Sequence, residues 1–392
     1  MKILQLGKFY DPVVGGMETV LKELCESVQN QVQLQVLVAN TQFRTERENH
    51  GFQLTRVASL GTLFSCSMAP SFPLHVRQMD ADVVQVHLPN PLAEVSALLA
   101  CRDIPIIAHF HSDVVRQRSL LKIYQPVLEK FYRRVHSIVV PTPRHIDVSP
   151  FVSRYRDKCR VVPFGIPLRH FDLDDAGRAR ADSLRDGAPT VLCVGRLVSY
   201  KGLEFLIQAM TDLRARLRII GTGPLEHSLM ELTRKRGLSD KIEFLGQLPF
   251  DELLAHYHAC DVFVLPSVTN AEMFGVVQLE AMACRKPVIA TSLKTGVSWV
   301  SQHNVTGYLV PPASVSDLVS SIDYLLRNPR LREEMGMAGR QRVERHFTSE
   351  KMAAAMLEVY RDVAPQAQTV GVSTEIPVRP QPEYYEPAER AG

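Results

Sequence analysis

The chain offers no CxxC pair among its seven cysteines, so neither a zinc cage nor a thioredoxin-like redox site is signalled. Cys193 lies in Val191-Leu192-Cys193-Val194; such neighbours mark small buried thiols in a reducing compartment. No stretch approaches the roughly 18 uninterrupted apolar residues of a membrane-spanning helix. The opening Met1–Lys8 is charged too early for a secretory signal and reads as a buried first strand, so an exported or membrane-spanning protein is not expected. Net charge is only +3, and basic residues are not interleaved with aromatics, which disfavours nucleic-acid binding. That small charge is unevenly divided. Residues 1–170 hold 20 Lys+Arg against 14 Asp+Glu, giving +6, and the remainder holds 25 against 28, giving −3. Two lobes with different partners are implied.

The chain is rich in short apolar runs of four to eight residues alternating with longer amphipathic stretches. This is the pattern of parallel strands joined by helices. Strands are expected at 2–6, 33–38, 54–57, 83–87, 104–109 and 137–141, then at 190–194, 217–220, 242–245, 262–265 and 287–290. Helices are expected at 17–29, 118–135, 202–212, 225–236, 251–258, 275–284, 315–326 and 330–344. The fold class is therefore α/β, with two doubly wound Rossmann-like domains, 1–168 and 190–346, facing across a cleft. A charged segment of little periodicity, 169–189, reads as the linker between them. A last helix, within 347–364, is expected to cross back to the first domain. From Pro365 on the chain carries five prolines and no long apolar run, so 365–392 reads as a disordered tail.

Candidate chemistry lies in the loops that follow strands. Gly15-Gly16-Met17-Glu18 precedes a helix, where absent side chains let a ligand approach backbone N–H groups. Gly195-Arg196 and Lys201-Gly202 place two cations at a strand's carboxyl end, suited to a diphosphate. Gly221-Thr222-Gly223-Pro224-Leu225-Glu226 lacks the third glycine of a dinucleotide fingerprint, so a dehydrogenase is excluded on spacing and a tight turn at a ligand remains. Glu272 sits in a polar loop before Phe274-Gly275, and Glu280 lies in the apolar helix that follows. A buried carboxylate there needs a partner, and a pair of sugar hydroxyls is a suitable one. His109-Phe110-His111-Ser112-Asp113 places two imidazoles on one face of a strand with no third spaced ligand, so no metal is implied. A single histidine at the cleft in contact with substrate is the preferred reading.

In this order, these segments resemble the family 4 glycosyltransferases, retaining enzymes of two-lobed GT-B fold, over about residues 1–363. The resemblance rests on Gly15-Gly16-Met17-Glu18, His111, Gly195-Arg196 with Lys201-Gly202, Gly221-Thr222-Gly223-Pro224, and Glu272 with Glu280 spaced E-x7-E. It implies that Arg196 and Lys201 hold the diphosphate of a nucleotide-sugar donor, that Glu280 accepts the ribose hydroxyls, and that Glu272 meets hydroxyls of the transferred sugar. Backbone N–H groups around Phe274-Gly275 would meet phosphate oxygens, Gly16 and Gly223 would line the donor site, and His111 would touch the sugar near its reacting carbon. The family commonly has Asn where this chain has Phe164, and changed local packing is expected there.

The resemblance implies a metal-independent hexosyltransferase without cofactor, in keeping with the lack of a DxD-type pair at a strand's carboxyl end. It points to the polysaccharide-assembly branch, in which mannose donors are frequent. The acceptor class is a glycan or polyprenyl-diphosphate-linked glycan. The basic helix 118–135, with Arg116, Arg118, Lys122, Lys130, Arg133 and Arg134 in and beside it, suits an anionic membrane surface and a cytoplasmic setting at the inner face of the cell membrane. A nucleotide-sugar epimerase or hydrolase of the same fold is the alternative enzyme. An inactive, glycosyltransferase-like binding partner is the alternative of another class.

Overall fold

A computed structural model describes residues 1–13, 15–63, 66–113 and 118–364, with side chains left out for 118–122. The expected tail 365–392 and Arg116 lie outside the described residues. The strands, in chain order, are β1 (Lys2–Leu6), β2 (Gln33–Ala39), β3 (Glu46–Asn49), β4 (Gln53–Val57), the short hairpin β5 (Thr62–Leu63) and β6 (Cys66–Ser67), β7 (Val83–Leu88), β8 (Ile106–Phe110), β9 (Ser137–Val140) and β10 (Cys159–Val161). In the second half they are β11 (Thr190–Val194), β12 (Arg216–Ile220), β13 (Ile242–Phe244), β14 (Val262–Leu265), β15 (Val288–Thr291) and β16 (Gly307–Val310).

The first lobe is an eight-stranded sheet in the order β10-β9-β8-β7-β1-β2-β4-β3, and the second a six-stranded sheet in the order β13-β12-β11-β14-β15-β16. All neighbours in both are parallel except β3 against β4. Helices cover both faces of such sheets, so central strands are buried on both sides, and every residue of β7, β8, β11 and β14 is buried. Each order reverses once, between β7 and β1 and between β11 and β14. At such a reversal the loops leaving the strands diverge and open a crevice at the carboxyl ends.

Two segments tie the lobes together. The helix Ser349–Val363 buries Met352, Ala353, Met356, Leu357, Val359 and Tyr360, and these pack with Ile3, Leu21, Leu24, Val36 and Leu54 in the core of the first lobe. Thr348 caps this helix, its hydroxyl accepting from Lys351 N–H, which sets the start of the crossing as an Ncap threonine does elsewhere. The segment 169–189 is more than a linker. It contains a helix, Asp175–Ser183, fastened to the helix Phe250–Ala259 by the Arg180–Glu252 ion pair (2.9 Å). Strand β16 was not expected from the sequence. Its apolar run, Tyr308-Leu309-Val310, is only three residues long before Pro311, below the roughly four at which a run reads as a buried strand.

Candidate functional site

The crevice of the second lobe is built by the loops after β11 and β14. Lys201 ends a one-turn 3-10 helix after β11, and Glu272 lies in the loop after β14. The Lys201 ammonium stands 2.5 Å from Glu272 Oε2, with side chains 11% and 10% exposed. Burial works against the lysine charge, but the Glu272 carboxylate, with Tyr200 and Cys193 adding to it, outweighs burial and holds the ammonium above its ordinary pKa. Ser267 Oγ also donates to Glu272 Oε2 (2.9 Å).

The loop is fixed by its backbone. Thr295 Oγ1 donates to the Glu272 carbonyl (2.7 Å), Gly296 N–H to the Met273 carbonyl (2.8 Å), and Val268 N–H to Tyr200 O (2.8 Å), which joins the two loops. Gly275 caps the helix Val276–Ala283 in the left-handed region, φ +72°. A Cβ there would stand 2.7 Å from Leu265 Cδ2, so glycine alone fits.

Arg196 is exposed on the same loop as Lys201, and forms no ion pair among the described residues. Gly223 has a packing role, since a Cβ on it would stand 2.4 Å from the Leu197 carbonyl, where Leu197 N–H donates to Thr222 O (3.0 Å) and Leu225 N–H to Leu197 O (3.1 Å). Gly16 opens the helix Gly16–Val28, with nothing within 4 Å of where a Cβ would stand.

Glu280 forms no ion pair with Lys201 among the described residues. Its carboxylate accepts from Tyr257 Oη (2.7 Å), and burial raises its pKa against that hydrogen bond and the Lys201 charge. It reaches a cavity of about 360 Å³ between the helix Gly16–Val28 and the second lobe, with Glu18, Glu23, Phe171, Phe250 and Val276 in its lining. Lys201, Glu272 and His111 are not among that lining. Within it, burial pushes Glu23 up to about 7, with Glu26 adding to the effect.

His111 follows β8 in the first lobe and is 8% exposed. Phe164 stacks on it (5.2 Å, 24°) and meets Phe274 of the second lobe at 4.9 Å, so one aromatic side chain bridges the cleft floor from His111 to the Glu272 loop. The sequence reading of His109 and His111 as lacking a third neighbour is corrected. His87 pairs with His109 across the β7–β8 ladder, and nitrogens of His87, His109 and His111 lie within 4.8 Å of one another. Parallel register brings together imidazoles 22 positions apart, which spacing along one strand does not reveal. His87, Gln5, Gln85 and Tyr360 escaped the sequence reading. The only signal was a lone glutamine inside each of two apolar strands, Leu4-Gln5-Leu6 and Val84-Gln85-Val86.

The only Asp-x-Asp next to a sheet strand in the first lobe, Asp80-Ala81-Asp82, sits at the amino end of β7. There Lys2 N–H donates to Asp82 Oδ2 (2.7 Å) and its ammonium pairs with Asp80, at the opposite edge from the cleft. In the basic helix Arg118–Arg134, Arg134 is not free for a membrane. Its guanidinium donates to the carbonyls of Cys101, Arg102 and Ile104. Lys130 and Arg133 are exposed. No helix among the described residues is long and apolar enough to cross a membrane.

Comparison with known proteins gives a consistent result. Residues 14–170 match the family described as Glycosyltransferase Family 4, and residues 177–342 match Glycosyl transferases group 1. The chain is 30% identical to the O-antigen chain mannosyltransferase C of Escherichia coli, over 92% of this chain and 98% of that protein. It is also 30% identical to the D-rhamnosyltransferase WbpZ of Pseudomonas aeruginosa, over 89% and 93%. Among solved structures, a sucrose-phosphate synthase from Thermosynechococcus elongatus superposes with TM-score 0.79 at 22% identity, covering 92% of this chain and 98% of that one. Its likeness bears on fold alone.

Proposed function

The chain belongs to the family 4 glycosyltransferases, of GT-B fold and of the polysaccharide-assembly branch, and from that premise we propose that it transfers a D-manno-configured sugar from a nucleoside diphosphate to a glycan or lipid-linked glycan, with retention and without a metal. The observation that carries this reading is the buried Lys201–Glu272 pair at the crevice of the second lobe, beside the exposed guanidinium of Arg196. Departure of a nucleoside diphosphate leaves negative charge on phosphate and positive character on the sugar. Fixed cations beside the first and a carboxylate beside the second stabilise both.

In this reading Arg196 and Lys201 hold the diphosphate, with N–H groups at the helix start after Gly275 adding to them. Glu272 takes sugar hydroxyls once the diphosphate competes for Lys201. Glu280 takes the ribose from the cavity side, and Gly16 leaves room for the diphosphate under the first lobe. The D-manno preference draws on the two full-length relatives, because D-rhamnose is 6-deoxy-D-mannose. The base draws on a mycobacterial relative named as GDP-mannose-dependent, 34% identical over 55% of this chain. The +6 charge of residues 1–170 and the exposed Lys130 and Arg133 support an acceptor at an anionic cytoplasmic membrane surface. Equal flotation with neutral and anionic vesicles at low salt would reject that placement.

The test is mass-spectrometric screening of nucleotide sugars against bacterial lipid extracts. GDP-mannose or its 6-deoxy analogue is expected to yield a hexose- or deoxyhexose-extended lipid together with GDP. Turnover confined to UDP-sugars would overturn the donor assignment.

A further inference from the structure

Behind His111, five hydrogen bonds run head to tail through the sheet of the first lobe and the crossing helix. Gln5 Nε2 donates to Tyr360 Oη (2.8 Å) and, more weakly, to Gln85 Oε1 (3.3 Å). The Gln5 carbonyl oxygen is therefore left to accept from His87 Nε2 (2.9 Å). With its proton on Nε2, His87 has a bare Nδ1, which accepts from His111 Nε2 (2.9 Å). At the other end, Tyr360 Oη donates to Gln85 Oε1 (2.5 Å), and Gln85 Nε2 donates to His109 Nδ1 (2.7 Å). Gln5, Gln85, His87, His109 and Tyr360 are all 0% exposed, so no water competes for these groups. A neutral imidazole has one donor and one acceptor nitrogen, and the partner of one decides the character of the other.

We propose that Tyr360, Gln5, Gln85 and His87 are positioning residues that hold His111 in its Nε2–H tautomer, so that its bare Nδ1 accepts a hydrogen bond from a hydroxyl of the donor sugar. The sugar contact rests on the transferase reading above. The tautomer rests on the orientation of the Gln5 amide, whose Nε2 faces Tyr360 Oη and Gln85 Oε1. Burial, reinforced by the neighbouring imidazoles, lowers the pKa of His111 well below the ordinary histidine value, so the ring stays neutral. A neutral acceptor suits a sugar that gains positive character, whereas an imidazolium there would oppose it. The arrangement also explains a buried tyrosine on the crossing helix, whose hydroxyl orders two glutamine amides and through them a histidine at the cleft. A metal ion at the His87–His111 contact would displace the proton between them, so metal binding and this tautomer exclude each other.

The experiment uses the full chain labelled with 15N-histidine, with His111→Gln identifying the His111 signals. Long-range 1H–15N spectra report which ring nitrogen carries the proton. The expected wild-type result is a single His111 species protonated at Nε2. Tyr360→Phe and Gln5→Met, each verified as folded by thermal melting, are expected to yield a mixture of tautomers. They should weaken nucleotide-sugar binding by about tenfold, the scale of one hydrogen bond, while binding of the nucleoside diphosphate alone is unchanged. Gln5→Glu keeps an acceptor for His87 Nε2–H and is expected to restore the single tautomer. A proton on Nδ1 of wild-type His111, an unaltered tautomer in both disrupting variants, or one zinc per chain lost in His87→Asn would each overturn the proposal. Nucleotide sugar failing to bind with the tautomer intact would refute the transferase reading and the sugar contact, and would leave the tautomer assignment standing.

Discussion

Lys201→Met removes the ammonium from the second-lobe crevice and leaves an apolar stem of similar length. The Glu272 carboxylate, on a side chain 10% exposed, then keeps only the Ser267 hydroxyl at 2.9 Å among the described residues. Removing one partner of a buried ion pair costs about 3–5 kcal/mol, because the other charge stays desolvated. The remaining hydroxyl places this site at the lower end, about 3 kcal/mol. Glu272→Gln leaves the Lys201 ammonium unpaired and is expected to cost about the same. The double variant has no buried charge to strand, so its stability should return to within about 1 kcal/mol of wild type, a coupling of about 5 kcal/mol between the two sites. Turnover should not return with it. Without Lys201 a preorganised cation is missing from the leaving diphosphate, a loss on the order of 10²-fold or more. Urea unfolding of the four proteins gives the stability cycle, and nucleoside diphosphate release gives turnover on the same samples. A double variant within about threefold of wild-type turnover would refute the catalytic role. A Lys201→Met protein destabilised by less than about 1 kcal/mol would refute the energetic one.

Three further outcomes are expected. Arg196→Ala, at an exposed position, should change urea stability by no more than about 0.5 kcal/mol and still reduce turnover on the order of 10²-fold; near-wild-type turnover would exclude it from the diphosphate site. Glu23, raised by burial from 4.5 to about 7, binds more protons folded than unfolded between those values. Stability should therefore fall as pH rises from about 4.5 to 7, by the linkage relation; Glu23→Gln should flatten that slope, and an unchanged slope would contradict the assignment. Turnover should survive excess EDTA, whereas its loss with rescue by magnesium or manganese would show that a metal carries the leaving-group charge.

The sheets were legible because doubly buried parallel strands leave unbroken apolar runs, as in Val191-Leu192-Cys193-Val194 and Val262–Leu265. The helix Asp175–Ser183 was hidden because it buries only Ala181 and is held by an ion pair rather than an apolar stripe. Among the candidate site residues, Lys201 and Glu272 were legible as charges in loops that follow strands. Their contact depends on the strand order that makes β11 and β14 neighbours. The chain of hydrogen bonds behind His111 was not legible, since Gln5 and Tyr360 are 355 positions apart. They meet only because the last helix crosses back onto β1 and β7. Phe164 stands where the family commonly has asparagine. Its stacking on His111 and contact with Phe274 follow from the way the two lobes sit, which no local pattern encodes.

The most direct test of the central claim is the anomeric configuration of the transferred sugar, read by NMR on product made from an α-linked nucleotide sugar, with nucleoside diphosphate release measured in parallel. The account predicts one nucleoside diphosphate per sugar transferred to acceptor, and an α linkage in the product. A β linkage, or diphosphate release accompanied only by free sugar, would contradict it.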